Sequence, residues 1–517
     1  MTPTILWVDD EIDLLKPYTI FLKEKGYEVV TCNNGHDALD LVAEKSFDIM
    51  FLDENMPGVS GLEVLTEISK LRQGMPVVMI TKNEEEDIMD QAIGQHIADF
   101  LIKPVNPSQI LLTLKKHLHK QEIVNTQNIN TFRNEFQQLS MYINDKLTIK
   151  EWYDLHRRLT RWDLELADGD EGLHSMLHSV VEDANQAFQK FVRNNYIQWM
   201  KGGDDAPMLS WDIVRKRIFP LLDNGEKVLM VVIDNMRYDQ WSVIQDLLGK
   251  SFTITQNELY CSILPTATQY ARNAIFAGLT PLQIAKRYPD WWVEEVEEEG
   301  KNLHEFEMLV EQLRRNGRDV KVSYQKCGNS ASIEQASHNL RRSGAELCVA
   351  VVNFVDMLSH ARTDNKMIRE LASSEAAYRS LTREWIQRSG LIEMFNIMGN
   401  KGYKIIVTTD HGTTQVDHAL KVIGDRNTSV SLRYKVGKSI NFDRKELKEI
   451  FEIKKPEEIG LPMPNLSSTY IFATGKCFLA YPNNYNYYVT YYKDTFQHGG
   501  ISMEEMLIPL VQMELSL

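Results

Sequence analysis

The sequence predicts an α/β protein in which a helical connector joins two regions of alternating strands and helices. In residues 4–120, five short apolar runs alternate with stretches whose apolar residues recur at helical spacing. After residue 208 the alternation returns with more strongly apolar strands. The residues between are rich in Gln, Asn, Arg and Leu, with no proline before Pro207. Alternating strands and helices form parallel sheets, so two such sheets are expected.

The first region, residues 1–120, contains five predicted strands. They are Ile5–Val8, Tyr27–Cys32, Ile49–Asp53, Val77–Thr81 and Phe100–Ile102. Between them, Glu11–Lys25 and Gly35–Glu44 have the apolar spacing of amphipathic helices. Five βα units in about 120 residues predict a doubly wound parallel sheet.

The connector, residues 121–207, is predicted to form a small helical bundle. Helical periodicity is clearest in Trp152–Leu159, and the stretch Gly202–Pro207 interrupts it. The acidic run Glu294–Glu299, further along the chain, is expected to be a solvated helix face.

The third region, residues 208–517, places acidic residues directly after its predicted strands. The strands Val228–Ile233, Leu347–Val355 and Tyr403–Thr408 precede Asp234, Asp356 and Asp410. In open α/β sheets the active site lies at the carboxyl ends of the strands. We therefore expect these carboxylates to converge on a functional site.

Composition limits the classes of function. The formal net charge is −15, and most of the acidic excess lies in residues 1–120, which argues against non-specific binding to duplex DNA. No long apolar run or signal peptide occurs, so a cytoplasmic protein is expected. The five cysteines are odd in number and never form a CxxC pair, so they are expected to be core thiols.

Acidic residues, a threonine and a lysine occupy the ends of the strands predicted for residues 1–120. Asp9 and Asp10 follow the first strand, and Asp53 ends the third. Thr81 ends the fourth strand, and Lys103 follows the fifth. These groups converge at one edge of a parallel sheet. Carboxylates suit Mg²⁺, which offsets the charge of an incoming phosphate, and a lysine holds that phosphate.

The loop Asp53–Gly58 resembles the phosphoacceptor loop of CheY-like receiver domains, and residues 4–120 as a whole resemble that family. The resemblance implies that Asp53 is the phosphoacceptor. It implies that Asp10, Asp53 and the backbone carbonyl of Asn55 bind Mg²⁺, with Asp9 acting through water.

The same resemblance assigns the switch residues. Thr81 and Phe100 would be the switch pair, and Lys103 would bind the phosphate. Phe100 stands where many members of the family carry Tyr, so a hydroxyl is absent. The alternative is a receiver that folds but is never phosphorylated.

In the third region, residues of the kind that bind zinc occur in a distinctive order. A pair of zinc ions needs Asp and His ligands and a nearby hydroxyl that the metal activates. The candidates, in order, are Asp234, the hydroxyls of Thr266 and Thr268, Asp356 with His360 four residues later, Asp410 with His411, and His498. Each motif is weak alone, but their order at strand ends is not expected by chance.

This order resembles the alkaline phosphatase superfamily, and within it the PglZ-type domain, over roughly residues 220–515. The resemblance implies one zinc ion bound by Asp356, His360 and His498. It implies a second zinc ion bound by Asp234, Asp410 and His411.

The same resemblance implies that Thr268 is the nucleophile and a bridging ligand. The motif Pro-Thr-x-Thr is similar to that of the nucleotide pyrophosphatase/phosphodiesterase branch of the superfamily, in which the second Thr is the nucleophile. Thr266 remains an alternative nucleophile. The residues between the motifs do not otherwise match that branch, which leaves the substrate open.

Over its full length the chain resembles PorX-type response regulators, which are linked to type IX secretion. The expected function is a two-component response regulator, phosphorylated by a sensor histidine kinase, that controls a zinc-dependent phosphodiesterase. Its expected substrates are short or cyclic nucleotides. Four arginines could hold a substrate phosphate or form ion pairs, namely Arg237, Arg272, Arg426 and Arg433. His418 is expected to be structural.

Two other functions stay open. The third region could be a non-catalytic, zinc-stabilised module that docks a sigma factor or a secretion component. It could instead be a phosphomonoesterase, which needs a more cationic pocket for a dianionic phosphate. Phosphorylation is expected to favour a homodimer through the last helices of the receiver. Neither membrane insertion nor sequence-specific DNA binding is expected.

Overall fold

The computed structural model describes most of the chain, which forms two compact units, Met1–Asn134 and Glu135–Leu517. The residues described are 3–71, 75–82, 97–118, 132, 135–166, 171–203, 205–295, 297, 300–364, 372, 374–425, 428–465 and 467–516. The described helices of the connector belong to the second unit. No helix in these ranges is long and apolar enough to cross a membrane.

The first unit has a five-stranded parallel sheet of order β2-β1-β3-β4-β5, as predicted for a doubly wound fold. Its strands are β1 Thr4–Val8, β2 Glu28–Cys32, β3 Ile49–Asp53, β4 Val77–Thr81 and β5 Asp99–Ile102. Its described helices are a 3₁₀ turn Ile12–Leu15, α1 Lys16–Glu24, α2 Gly35–Glu44, α3 Gly61–Leu71 and α4 Pro107–Leu118.

Both faces of this sheet are covered by apolar side chains. In β1, Leu6 and Val8 pack into one core cluster, and Ile5 and Trp7 pack into another. Successive side chains of a strand point to opposite faces, so a strand buried on both faces is apolar throughout. This burial explains why the strands are continuous apolar runs in the sequence.

The second unit has a six-stranded sheet of order β7-β19-β10-β6-β9-β8. Strands β10, β6, β9 and β8 are parallel, and β19 runs antiparallel to both β10 and β7. The strands are β6 Lys227–Ile233, β7 Phe252–Cys261, β8 Val322–Cys327, β9 Leu347–Val352, β10 Tyr403–Thr408 and β19 Leu507–Leu515.

Small sheets lie between β10 and β19 in the chain. A ribbon pairs β11 with β18, one three-stranded sheet has the order β14-β12-β17, and another has the order β13-β16-β15. Their strands are β11 Thr414–Gln415, β12 His418–Ile423, β13 Tyr434–Gly437, β14 Asn441–Phe442, β15 Ile450–Ile453, β16 Thr469–Ala473, β17 Cys477–Ala480 and β18 Phe496–Gln497.

Helices of the connector precede the large sheet. Residues 135–142 are helical, and they are followed by α5 Ile149–Glu165 and α6 Glu171–Met200. A capping box formed by Thr148 and Glu151 starts α5. Trp152 of α5 packs edge-on against Phe188 of α6, with ring centroids 5.3 Å apart. These described helices agree with the predicted helical connector.

The remaining described helices of the second unit surround its sheets. The α-helices are α7 Phe219–Asp223, α8 Tyr238–Gln245, α9 Thr268–Ala277, α10 Pro281–Arg287, α11 Glu305–Arg315, α12 Ser330–Ser343, α13 Phe354–Asp364, α14 Glu375–Arg388, α15 Leu391–Gly399, α16 Tyr485–Tyr492 and α17 Met503–Met506. Short 3₁₀ or π turns are Ser210–Asp212, Val214–Ile218, Asp246–Leu248, Arg444–Lys448 and Pro456–Ile459.

One predicted strand is too long. The apolar run predicted as Leu347–Val355 divides into β9, which ends at Val352, and α13, which begins at Phe354. Val355 is fully buried, and Phe354 stacks on Trp385 with ring centroids 3.8 Å apart. A buried helical turn is as apolar as a buried strand, so composition alone does not separate them.

Candidate functional site

The acidic residues of the first unit meet at the carboxyl end of its sheet. Carboxylate oxygens of Asp9, Asp10 and Asp53 lie within 4.8 Å of one another. The Lys103 ammonium donates to Asp9 Oδ2 at 2.8 Å and to Asp53 Oδ2 at 2.9 Å. Asp53 Oδ1 is buried without a hydrogen-bond partner in the described structure. Its surroundings therefore suit a Mg²⁺ ion.

Burial raises the pKa of Asp53, and the charges of Asp9 and Asp10 raise it further, while Lys103 lowers it. A bound divalent cation would favour the ionised carboxylate that attacks a phosphoryl group.

The predicted switch residues lie on neighbouring strands of the same sheet. Thr81 is fully buried at the end of β4, and it pairs in register with Ile102 of β5. Phe100 is half-buried and packs against one of the two apolar clusters. Asn55 is exposed in the loop after β3. Their assigned roles in switching and Mg²⁺ binding stay predictions.

The predicted zinc ligands of the second unit form two adjacent groups. Ligand atoms of Asp356, His360 and His498 lie within 4.8 Å of one another, and so do those of Asp234, Asp410 and His411. The rings of His411 and His498 stack with centroids 4.3 Å apart, so the two groups share a boundary.

The first group combines one helix with a loop. Asp356 and His360 lie one turn apart on α13, with His360 Nε2 3.5 Å from Asp356 Oδ2. His498 follows β18, and its Nε2 lies 3.8 Å from Asp356 Oδ1. The His360 side chain is 65% exposed, so this group opens to solvent. A substrate therefore has access to this side.

The second group is buried at the ends of two parallel strands. Asp234 follows β6, and Asp410 and His411 follow β10. His411 Nδ1 lies 3.0 Å from the carbonyl of Gly412, so this nitrogen carries the proton and leaves Nε2 as a ligand atom. Gly412 is required because a Cβ there would lie 2.0 Å from the Glu504 carbonyl oxygen.

Crowding of like charges perturbs both groups. Burial and then the nearby Asp234 raise the pKa of Asp410 and that of Asp356, each to about 6. Burial lowers the pKa of His498 well below its usual range, and His411 and His360 lower it further. Asp410 Oδ2 is fully buried and has no hydrogen-bond partner among the described residues. The neutral His498 imidazole, the crowded carboxylates and this oxygen fit a pair of bound zinc ions.

Thr268 lies beside the second group. It is the first residue of α9, and its hydroxyl lies 3.4 Å from Asp234 Oδ1 and 3.1 Å from His411 Nε2. The free backbone N–H groups and the positive dipole end of a helix N-terminus attract phosphate oxygens. The hydroxyl therefore faces the ligand atoms in a position suited to attack on a bound phosphate.

Thr266 has a different environment. Its hydroxyl donates to the carbonyl of Gly500 at 2.8 Å and accepts from the N–H of Gly499 at 3.0 Å. Its own carbonyl lies 3.2 Å from His498 Nδ1. Thr266 thus holds the loop that carries His498, and its hydroxyl is fully used, which disfavours it as the nucleophile.

Asn235 is a site residue that the sequence did not indicate. Its backbone N–H donates to Asp410 Oδ1 at 3.3 Å, and its side-chain amide donates to Asp356 Oδ1 at 3.2 Å. It therefore connects the two ligand groups. Its φ of 62° is left-handed, a conformation that Asn tolerates better than most residues. Its place after a strand is the only hint in the sequence.

The arginines considered as phosphate ligands form buried ion pairs. Arg272 donates to Asp234 Oδ2 at 2.7 Å and to Glu305 Oε1 at 2.6 Å. Arg237 contacts Asp239 and Glu375, Arg433 contacts Glu505, and Arg426 lies outside the described residues. The structure therefore favours the ion-pair alternative for the three described arginines.

The prediction for the acidic run Glu294–Glu299 is wrong where the structure describes it. Glu294, Glu295 and Glu297 are not helical. Glu295 accepts hydrogen bonds from the hydroxyls of Tyr270 at 2.9 Å and Tyr434 at 2.8 Å. Buried hydroxyl groups need a hydrogen-bond acceptor, and Glu295 of the acidic run is that acceptor for both tyrosines.

Family models match three successive parts of the chain. A response regulator receiver domain matches residues 5–115, and a PorX response regulator linker domain matches residues 122–200. A BREX system PglZ alkaline phosphatase-like domain matches residues 213–513. The predicted resemblance to a PorX-type fusion is confirmed, as is the fold class with its CheY-like receiver.

Individual relatives match the receiver region. The alginate biosynthesis transcriptional regulatory proteins AlgB of Pseudomonas syringae pv. tomato and Pseudomonas putida are each 34% identical over 119 residues, which is 23% of this chain and 27% of theirs. The chain thus spans about a quarter of the length of these relatives. A CheY-like receiver domain of Methanospirillum hungatei is 29% identical, covering 24% of this chain and 98% of its own, with a TM-score of 0.23.

The geometry around Asp53 predicts that it is the sole phosphoacceptor. Acetyl phosphate with Mg²⁺ should phosphorylate the full chain. Asp53→Ala should abolish this labelling because, among the described residues, no other carboxylate has the Lys103 contact and an unpartnered oxygen together. Phosphate-affinity electrophoresis measures the modified fraction. Asp40→Ala, a change on α2, is the control and should label normally; equal labelling of the Asp53→Ala variant contradicts the assignment.

Proposed function

Since the chain belongs to the PglZ alkaline phosphatase-like family and carries a receiver domain, we propose that it is a response regulator whose phosphorylation controls a zinc-dependent phosphodiesterase. The proposed substrates are short or cyclic nucleotides. The observation that carries this proposal is the position of the Thr268 hydroxyl, which faces one ligand group while the other adjoins it.

Each ligand group would hold one zinc ion. Bound there, the two ions would lower the pKa of the Thr268 hydroxyl and offset the charge of the phosphoryl oxygens. His498 keeps Nε2 available because its Nδ1 contacts the carbonyl of Thr266. In the proposed step the Thr268 oxygen bonds to phosphorus and gives up its proton, while the phosphorus–oxygen bond to one ester group breaks and that group leaves as an alcohol. Water then hydrolyses the phosphothreonine. The backbone N–H groups at the N-terminus of α9 would lie next to the phosphate oxygens.

A diester suits this pocket better than a monoester. A dianionic monoester is held best by an uncommitted guanidinium with two parallel donors. Arg237, Arg272 and Arg433 already pair with carboxylates. A phosphodiester carries a single negative charge and needs less compensation, so the committed arginines favour it.

The connector offers a route for regulation. Asp163 of α5 accepts from Arg379 of α14, and Arg379 also donates to Asp239 at 3.0 Å. Asp239 in turn binds Arg237 at 2.9 Å, three residues after the zinc ligand Asp234. We propose that phosphorylation shifts the connector and that this buried chain of charges carries the shift to the ligands.

A second contact joins the connector to the opposite side of the ligands. Asn185 of α6 accepts from the N–H of Met503 at 2.8 Å and donates to the carboxylate of Glu504 at 3.1 Å. The backbone around Glu504 packs against Gly412, directly after His411. Both connector helices therefore reach residues adjacent to ligands.

The remaining parts of the proposal concern partners. A sensor histidine kinase would supply the phosphoryl group to this chain in the cytoplasm, and a phosphorylated chain would form a homodimer through its receiver. This prediction falls partly on residues 83–96 and 119–131, which lie outside the described ranges. Docking of a sigma factor or a secretion component by the third region, residues 208–517, is the competing function.

Loss of one ligand should remove about one zinc ion per chain, because each ion has few protein ligands. We expect this loss for His498→Ala and for Asp410→Ala, measured by mass spectrometry of the metal content, and no loss for His338→Ala. Zinc binding should weaken as the pH falls through about 6, where Asp356 and Asp410 become protonated. Wild-type protein purified without chelator and free of zinc would refute the proposal.

Thr268→Ala should lower turnover of bis-p-nitrophenyl phosphate by roughly 10³-fold or more, because the attacking oxygen is lost. Thr268→Ser should keep part of the activity, and Thr266→Ser, which keeps the contacts to Gly499 and Gly500, should stay close to wild type. The hydrolysis rates of p-nitrophenyl phosphate and bis-p-nitrophenyl phosphate distinguish a phosphomonoesterase from a phosphodiesterase. Faster cleavage of the monoester would indicate a phosphomonoesterase, and zinc-loaded protein inactive on both would indicate the docking module.

Asp163→Asn should weaken the coupling between receiver and hydrolase. The change in diesterase rate caused by beryllofluoride should shrink by an amount equivalent to about 0.5–2 kcal/mol of coupling energy. Zinc content and the rate without beryllofluoride should be retained. Glu165→Gln, also on α5 and paired with Arg161 rather than with Arg379, is the control. An unchanged response in Asp163→Asn would rule out this route.

A further inference from the structure

A set of metal-binding side chains lies apart from the two groups described above, where the two three-stranded sheets meet. Ligand atoms of His418, Glu449 and Cys477 lie within 4.8 Å of one another. His418 begins β12, Cys477 begins β17, and Glu449 directly precedes β15. One nitrogen and one sulfur ligand therefore come from two strands of one sheet, and one carboxylate comes from the residue before a strand of the other sheet.

Strand pairing holds these residues in place. His418 and Cys477 are register partners on the parallel strands β12 and β17, so their side chains lie on the same face of the sheet. The carbonyl of Glu449 accepts from the N–H of Thr474 at 3.0 Å, which fixes its loop beside Cys477. The backbone thus brings the three residues together without help from a ligand.

His418 has the orientation of a metal-binding histidine. Its Nδ1 lies 2.5 Å from Asp417 Oδ1, and its Nε2 lies 3.0 Å from Glu449 Oε2. A carboxylate on one ring nitrogen fixes the tautomer and directs the other nitrogen to a metal. An ion pair between His418 and the two carboxylates would explain these contacts. The buried Cys477 thiol beside them donates to the backbone carbonyl of Thr474 at 3.1 Å, a hydrogen bond that a metal–thiolate bond would replace.

The place is reachable from solvent. Asp417, His418 and Glu449 line a cavity of about 530 Å³, whose other wall includes Glu182 and Arg193 of α6. Cys477 is fully buried behind them. A metal ion can therefore enter from the cavity, bind the buried sulfur and keep one position facing the cavity.

We propose that His418, Glu449 and Cys477 bind a zinc ion separate from the catalytic centre, with Asp417 as the positioning residue for His418. A mixed sulfur, nitrogen and oxygen set selects a transition metal such as zinc over Mg²⁺ or Ca²⁺. Tetrahedral zinc needs its ligand atoms about 3.3–3.8 Å apart, and the three ligand atoms here lie within 4.8 Å of one another. The Cys477 thiol loses its proton to solvent as the sulfur–metal bond forms.

The proposed ion would join the two small sheets. It links β12 and β17 of one sheet to the start of β15 in the other. These strands form part of the wall that faces α6 of the connector. This structural role is independent of the proposed phosphodiesterase activity.

Cobalt spectroscopy tests the site on the full chain after removal of its metals by a chelator. A cobalt–thiolate bond gives a charge-transfer absorption in the near ultraviolet, and neither catalytic ligand group contains a cysteine. Titration with Co²⁺ should therefore produce this band in the wild type. Cys477→Ser should lose the band but keep the visible absorption of cobalt in the catalytic centre, which shows that it is folded.

Further variants separate this site from the other functions. His418→Ala should also lose the band, and Asp417→Asn should weaken cobalt binding at this site by roughly 10–100-fold. Cys348→Ser removes another buried thiol and should keep the band. Thr268→Ala, inactive if the proposed function holds, should keep it too. No band in the wild type at saturating Co²⁺, or an unchanged band in Cys477→Ser, overturns the proposal.

Discussion

Repulsion between buried carboxylates is the constraint on which the rest of the second unit depends. Asp234 and Asp410 are almost fully buried, and Asp356 lies close enough for the charge of Asp234 to raise its pKa. Like charges repel strongly where water is excluded. Arg272 and the donors of Asn235 offset part of this charge. Asp410 Oδ2 has no hydrogen-bond partner among the described residues, so this compensation is incomplete. A cation bound at this point would therefore stabilise the fold.

The network of ion pairs around these carboxylates also connects them to helix α5 of the connector. Three guanidinium groups, those of Arg237, Arg272 and Arg379, are each shared between carboxylates of different elements. Arg379, for example, contacts both Asp163 and Asp239. Removing one partner of a fully buried pair, such as Arg272 with Asp234, leaves an uncompensated charge and costs about 3–5 kcal/mol. The Asp163 side chain is 34% exposed, so losing its pairing with Arg379 costs less. The connector and the segment after β6 are therefore expected to move together rather than separately. This expectation gives the connector a physical role beyond that of a spacer.

The sequence was informative where the signal is local. Strand ends, the order of the metal-binding residues and the start of α9 at Thr268 follow from patterns within a few residues, and the structure brings these residues together. It was less informative where partners are distant in the chain. His418 and Cys477 become neighbours only through strand register. The acceptors of the arginines, like those of Tyr270 and Tyr434, also come from distant segments, so composition alone could not identify them.

Lys103 and Arg272 each offset the negative charge of buried carboxylates, but they do so in different ways. In the receiver, Lys103 holds Asp9 and Asp53 with a single mobile ammonium, which can leave a carboxylate for an incoming phosphoryl group. Arg272 is locked between Asp234 and Glu305 by a planar guanidinium, four residues after Thr268 on the same helix. A guanidinium held in this way cannot follow a substrate. It can keep Asp234 and the Thr268 hydroxyl at a constant distance from each other, which is the fixed geometry that the proposed attack by Thr268 requires.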